Sequence, residues 1–204
     1  MAALASTWSD GTPANASGEM VLPAPLFAAE AAGYADRVHL RVPSMFPALP
    51  PEPPVPSSPP VMILIPNLNV HRPVEPVGVD HSGTMNTPQN FWNAGWYRGG
   101  PVPGAPGDAV IEGHAGSPAH PLLFARLHLL RSGDKIVVVL ADGSRRLFLV
   151  DSLAIWPAGT SPPGMGEPYG EPRLTLITCT GPFDGRYQTY ADRLAVEASY
   201  AGLA

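Results

Sequence analysis

The chain of 204 residues contains one cysteine, Cys179, and one lysine, Lys135. A single cysteine cannot form an internal disulfide, so the redox compartment is not legible from pairing. One lysine beside eleven arginines, at a formal net charge of −5, excludes the basic footprint that nucleic acid or an anionic membrane requires. A partner is expected to be read through a groove instead. There is no CxxC pair and no HExxH motif, and the histidines at 39, 71, 81, 114, 120 and 128 lack the i, i+4 spacing of two ligands on one helix face. No metal or other cofactor is expected. No run reaches the roughly 18 apolar residues of a membrane helix, and the opening "MAALASTWSD" has neither the basic nor the apolar region of a signal peptide.

Proline, by contrast, is abundant and unevenly placed, with twelve of the 27 in the first sixty residues. Such a segment favours extended polyproline conformations and cannot donate a regular ladder, so 1–60 reads as an extension or linker, with one possible helix over 25–40. From Val61 the texture changes to short β-branched runs separated by Gly, Pro, Asn and Asp, which defines one domain over 61–204. This density of strands predicts an all-β fold, a closed or nearly closed antiparallel barrel or a sandwich. Asp142-Gly143 is expected to supply the positive φ angles of a tight hairpin between "IVVVL" and "RRLFLV". Leu122, Phe124, Leu127 and Leu130 have the spacing of a short helix or 3₁₀ turn.

Three groups carry the chemistry. Cys179 ends the run "RLTLITC", His114 follows the apolar run Ala109-Val110-Ile111, and Arg193 opens "RLAVEASY". If the Arg193 strand runs antiparallel to the Cys179 strand, the three share one sheet rim. A thiol, an imidazole and a guanidinium together permit acyl transfer through a thioester. The thiolate attacks, the histidine protonates the leaving amine, and the arginine holds the carbonyl or oxyanion. At reference pKa values only about one molecule in a hundred would hold thiolate and imidazolium together near pH 7.5. Taken singly, each residue has a plainer reading: a packed cysteine, a histidine capping a strand, an arginine at a solvated edge. Glu112 reads as a solvent-facing strand residue, and Trp92, Trp96 and Tyr97 as core or lid packing.

Taken together, these segments resemble the sortases, cysteine transpeptidases of Gram-positive bacteria. "TLITC" is similar to their active-site motif, "AVIEGHAG" to the segment presenting the histidine, and "YADRLAVEA" to the strand bearing the arginine. The likeness runs from about 61 to 200 in family order. It implies an eight-stranded β-barrel with one or two short helices, Cys179 as nucleophile, His114 as acid/base and Arg193 as oxyanion or substrate stabiliser. "TCTGPFD" is most similar to class F, ahead of classes E and D. Ala191 occupies the slot where many class F relatives place the arginine, so Arg186 is the second candidate. The resemblance also implies cleavage of a Leu-Pro-any-Thr-Gly sorting signal of surface proteins between Thr and Gly. Transfer would then follow to an amine of a peptidoglycan precursor or a pilin lysine, with housekeeping anchoring favoured over pilus assembly. It implies a monomer outside the cytoplasm, at the cell surface. The hydrophobic anchor usual in the family is not found, which predicts a trimmed ectodomain or a soluble form. The loop 157–172 corresponds to the frame of the family's signal-binding groove.

Two other readings compete. A papain-like cysteine peptidase would place its cysteine before its histidine and at a helix N-terminus, the reverse of the order here. A non-catalytic barrel binding cell-surface peptides would simply pack Cys179.

Overall fold

A computed structural model describes residues 55–204 apart from Gln188, so the helix expected over 25–40 lies outside the described residues. Eight strands make up the domain: β1 (Pro60–Ile65), β2 (Val70–Val77), β3 (Ala94–Tyr97), β4 (Asp108–Glu112), β5 (Lys135–Leu140), β6 (Arg145–Pro157), β7 (Arg173–Asp184) and β8 (Thr189–Leu203). They close into a barrel in the order β1-β2-β3-β4-β7-β8-β6-β5. The all-β, eight-stranded expectation holds. The helical content among the described residues is two 3₁₀ turns, Pro66–Leu68 and Leu127–Leu129.

The barrel is mixed rather than wholly antiparallel, because β2 pairs β3 and β4 pairs β7 in parallel. Two prolines in β2 are accommodated by dividing its pairing. Pro73 lies in the half that pairs β1 and Pro76 in the half that pairs β3, so each needs a partner on one side only. A second correction concerns where strands stop. β7 continues past Cys179 to Asp184, and β8 begins at Thr189, so Cys179 and Arg193 lie within strands. "TGPFD" reads as a turn, yet the ladder absorbs Gly181-Pro182 as a register shift between Thr180 and Phe183. Gly181 has φ +83, and a Cβ there would stand 2.3 Å from Asp192 Oδ2.

Strand alternation decides what faces inward. On β4 Ala109 and Ile111, on β7 Leu174 and Leu176, and on β8 Leu194, Val196 and Ala198 enter the core with Ile63, Val138 and Phe148. Burying a Leu, Ile or Phe side chain contributes about 1.5–3 kcal/mol, so this layer holds the barrel shut. Of the short helix or 3₁₀ turn expected over 120–130, the 3₁₀ turn forms at Leu127–Leu129 after a run of turns, with Phe124, Leu127 and Leu130 buried in the same core. The Asp142-Gly143 hairpin forms, with a different turn. Gly143 has φ +82 and its N–H donates to Leu140 C=O, whereas Asp142 keeps an ordinary negative φ. Asp142 contributes through its carboxylate, which accepts from Ser144 N–H at 2.8 Å.

Candidate active site

The alternation that sends Leu174 and Leu176 inward turns Ile177 and Cys179 to the outer face of the barrel. Cys179 lies directly opposite Arg193 in the β7–β8 ladder. On the other flank of β7 runs β4, in parallel register up to Glu112 opposite Ile177. The next residue continues the alignment through different bonds. Gly113 N–H donates to Ile177 C=O at 3.1 Å, and Thr178 Oγ1 donates to Gly113 C=O at 2.6 Å. His114 therefore leaves β4 at the end of the sheet where Cys179 stands. Its own C=O accepts from Phe124 N–H at 2.9 Å, which ties it to the core-packed 120–130 segment. Only glycine fits at 113, since a Cβ there would stand 2.4 Å from the Phe124 ring.

Cys179, His114 and Arg193 line one groove of about 780 Å³. The loop after β2 contributes Thr84 and Met85 to its wall, and the 158–172 loop contributes Gly159, Thr160 and Gly166. That second loop is pinned to the start of β4: Gly166 N–H donates to Asp108 Oδ2 at 3.1 Å, and Asp108 N–H to Glu167 C=O at 2.8 Å. Asp108 is buried, and Thr175 Oγ1 also donates to its carboxylate. Burial raises the Asp108 pKa above its ordinary value, against the opposing pull of these bonds. A smaller cavity of about 270 Å³ lies under this loop, beside Asp108, Arg173 and Glu197, and includes none of the three groups.

The electrostatics of the groove are set mainly by burial. Burial pushes the Cys179 thiol up, Arg193 pulls it down by less, and a Glu112 carboxylate pushes it up further. Burial pushes His114 down. Both shifts deplete the thiolate–imidazolium pair below the reference fraction. His114 Nε2 is buried with no hydrogen-bond partner among the described residues. Its ring meets Phe91 edge-on, with centroids 5.1 Å apart at 64°. The Arg193 guanidinium donates to the C=O groups of Asp192 at 2.9 Å and Tyr190 at 3.2 Å. Carbonyls orient the fork without neutralising it, so its charge remains available to the groove.

The three groups expected to share a rim line one groove, Cys179 and Arg193 on the outer face of β7 and β8 and His114 just past the end of β4. Arg186 is exposed in the β7–β8 turn, with its guanidinium over the Tyr187 ring at 5.3 Å, and does not line the groove. Glu112 departs from its expected solvent-facing role: it lines the groove, its Oε1 is buried without a partner, and burial pushes its pKa up to about 7. Trp96 is core, with Nε1 donating to Pro101 C=O, Tyr97 lines the groove, and Trp92 is exposed. Sequence reasoning misses the Phe91 contact with His114. Its only trace there is an aromatic beside Trp92 in a polar loop.

Residues 63–201 match the sortase domain. Sortase A from Corynebacterium diphtheriae superposes with a TM-score of 0.53 at 25% identity, covering 72% of this chain; this chain spans 63% of that one. Sortase C-1 from Actinomyces oris gives 0.54 at 25%, covering 69% of this chain and 73% of its own. Sortase C from Streptococcus pneumoniae, at 0.53 and 23% identity with 71% and 68% covered, shares the fold. No curated protein sequence matched the chain. The matched span takes in every strand from β2 to β7, half of β1 and most of β8, and on that extent this chain belongs to the sortase family.

Proposed function

We propose that the chain is a cysteine transpeptidase whose catalytic domain is 61–204, with 1–60 as an extension or linker. The observation that carries this reading is the Cys179–Arg193 pair across β7 and β8, in one groove with His114. Cys179 thiolate attacks the scissile carbonyl, and Arg193 donates to the oxygen as it gains charge. The C–N bond then breaks as imidazolium His114 protonates the leaving amine, giving a thioester on Sγ. An acceptor amine attacks that thioester and displaces the thiolate. The substrate is a Leu-Pro-any-Thr-Gly-type sorting signal cut between Thr and Gly, and the loops around 84 and 160 frame the peptide. The acceptor is an amine of a peptidoglycan precursor or a pilin lysine, with the enzyme monomeric at the cell surface. Class F is the subgroup the "TCTGPFD" segment supports.

The papain-like alternative fits less well, because Cys179 sits within a strand, where no helix dipole favours its thiolate. The experiment is incubation with a quenched Leu-Pro-any-Thr-Gly peptide, with and without an added amine, followed by mass analysis. Cleavage after Thr together with an amine adduct is expected. A silent barrel would give neither product and would leave Cys179 unmodified by a thiol-reactive probe.

A further inference from the structure

An amine acceptor brings more protons than one histidine can take. Near neutral pH it is an ammonium, with a pKa of about 8 for an α-amine and about 10 for lysine. To become an amide N–H it must shed two protons. His114 is neutral once it has protonated the leaving group, so it has room for one. A second acceptor within the groove is required if the ammonium is to react without first losing a proton to solvent.

Among the described residues lining the groove, Glu112 is the one carboxyl. It projects from the outer face of β4, with Ile177 as its cross-strand neighbour and Cys179 one diagonal step further along β7. Strand order puts β4 and β8 on opposite flanks of β7, so Cys179 has a carboxyl on one side and the Arg193 cation on the other. Across the β3–β4 ladder Glu112 faces Gly95, where a Cβ would stand 3.1 Å from Oε1. The missing side chain at 95 leaves the carboxyl its berth. Oε1 nonetheless has no hydrogen-bond partner, an unusual state for a buried carboxyl that is not used for something.

We propose that Glu112 receives the acceptor amine, docking its ammonium on the side of Cys179 away from Arg193 and taking the first of its two protons. This rests on the transpeptidase reading above. The N–H electron pair stays on nitrogen, which attacks the thioester carbon. The second proton passes to neutral His114 as the C–N bond forms and the C–S bond breaks. The products are the amide, a protonated Glu112, imidazolium His114 and Cys179 thiolate, the pair that begins the next cycle, and Glu112 then returns its proton to solvent. With its pKa pushed up to about 7, Glu112 populates both forms near neutrality, as a proton carrier must. The other charged or titratable groups lining the groove are Tyr97 on β3, His114, Cys179 and Arg193.

The test compares two nucleophiles on acyl-enzyme formed from a Leu-Pro-any-Thr-Gly peptide. Hydroxylamine is neutral near pH 7 and sheds one proton, whereas glycinamide arrives largely as an ammonium and sheds two. The ratio of glycinamide to hydroxylamine products, read by mass, should fall about tenfold or more in Glu112→Gln and recover in part in Glu112→Asp. In Glu112→Gln the glycinamide rate should also follow the free-amine fraction, rising towards about pH 8, while the wild type levels off earlier. An unchanged ratio and pH profile would overturn the role of Glu112. Should the amide variant not fold, Glu112→Ala read on the same ratio decides the matter in the same way. Failure of the wild type to form any acyl-enzyme is a separate outcome, and it would overturn the transpeptidase reading and this inference with it.

Discussion

The hydroxyl of Thr178 donates to the carbonyl of Gly113 at 2.6 Å, across 65 residues of sequence, and so joins the residue before Cys179 to the residue before His114. Both groups are buried. Thr178→Val keeps the shape but leaves that acceptor short of a partner, at a cost of about 1–3 kcal/mol. On the proposed mechanism the bond sets Cys179 against His114, so kcat for peptide cleavage should fall on the order of tenfold to a hundredfold, with KM less affected. Thr178→Ser keeps the hydroxyl and should recover most of both. Wild-type kcat in the valine variant would show that the bond is structural only.

Replacing Cys179 should separate chemistry from folding. Cys179 is half-buried and its thiol makes no hydrogen bond that holds the barrel, so Cys179→Ala should melt near the wild type while cleavage and transfer disappear. Residual turnover at wild-type level in a peptide assay would remove Cys179 from the mechanism.

The arginines are distinguished by position. Arg193 faces Cys179 and lines the groove, whereas Arg186 is exposed in a turn. Lysine cannot reproduce the planar fork, so Arg193→Lys should lose about a hundredfold in kcat, the usual loss for one oxyanion donor. Arg186→Lys should stay within about twofold. The reverse pattern on one peptide would move the role to Arg186.

Glu112 should also register in stability. Its pKa rises from 4.5 to about 7 on folding, so the folded state holds the proton more tightly. The stabilisation this gives is complete below pH 4.5 and is lost as pH climbs through about 7, on the order of 3 kcal/mol in all. Glu112→Gln has no proton to lose, so the difference in urea stability between wild type and variant should shift against the wild type by that order between pH 4 and pH 8. A pH-independent difference would mean that the carboxyl is solvated. His114 moves the other way, since burial lowers its pKa, and its contribution is common to both proteins.

The convergence of Cys179, His114 and Arg193 was legible because each stands beside an apolar run whose alternation is strong. Parity along a strand is a local property, and Glu112 does stand on the outer face, yet it is not solvent-facing as expected. What covers that face is not local: the loops around 84 and 160 close over it, and only the folded chain shows that outward here means buried in a groove. The same limit applies to the parallel β4–β7 pairing, which no turn between the two strands announces. Gly181-Pro182 looks like the end of a strand because both residues favour turns, and the long β7–β8 ladder overrides that local preference. The Phe91–His114 contact joins a loop to a strand end, and no spacing rule reaches across that distance.

The parallel β4–β7 alignment has a consequence for how the enzyme comes into being. His114, just past the end of β4, and Cys179, on β7, have β5 and β6 between them in sequence, and no shorter stretch of chain can bring them together. Long-range parallel pairing is among the slow events of folding, because the closure entropy of the intervening chain must be overcome first. On the proposed mechanism the thiol is therefore expected to gain its reactivity late, once β4 and β7 have paired. In a refolding experiment, the recovery of acyl-enzyme formation should lag behind the recovery of strand signal and so time the closing of the last seam.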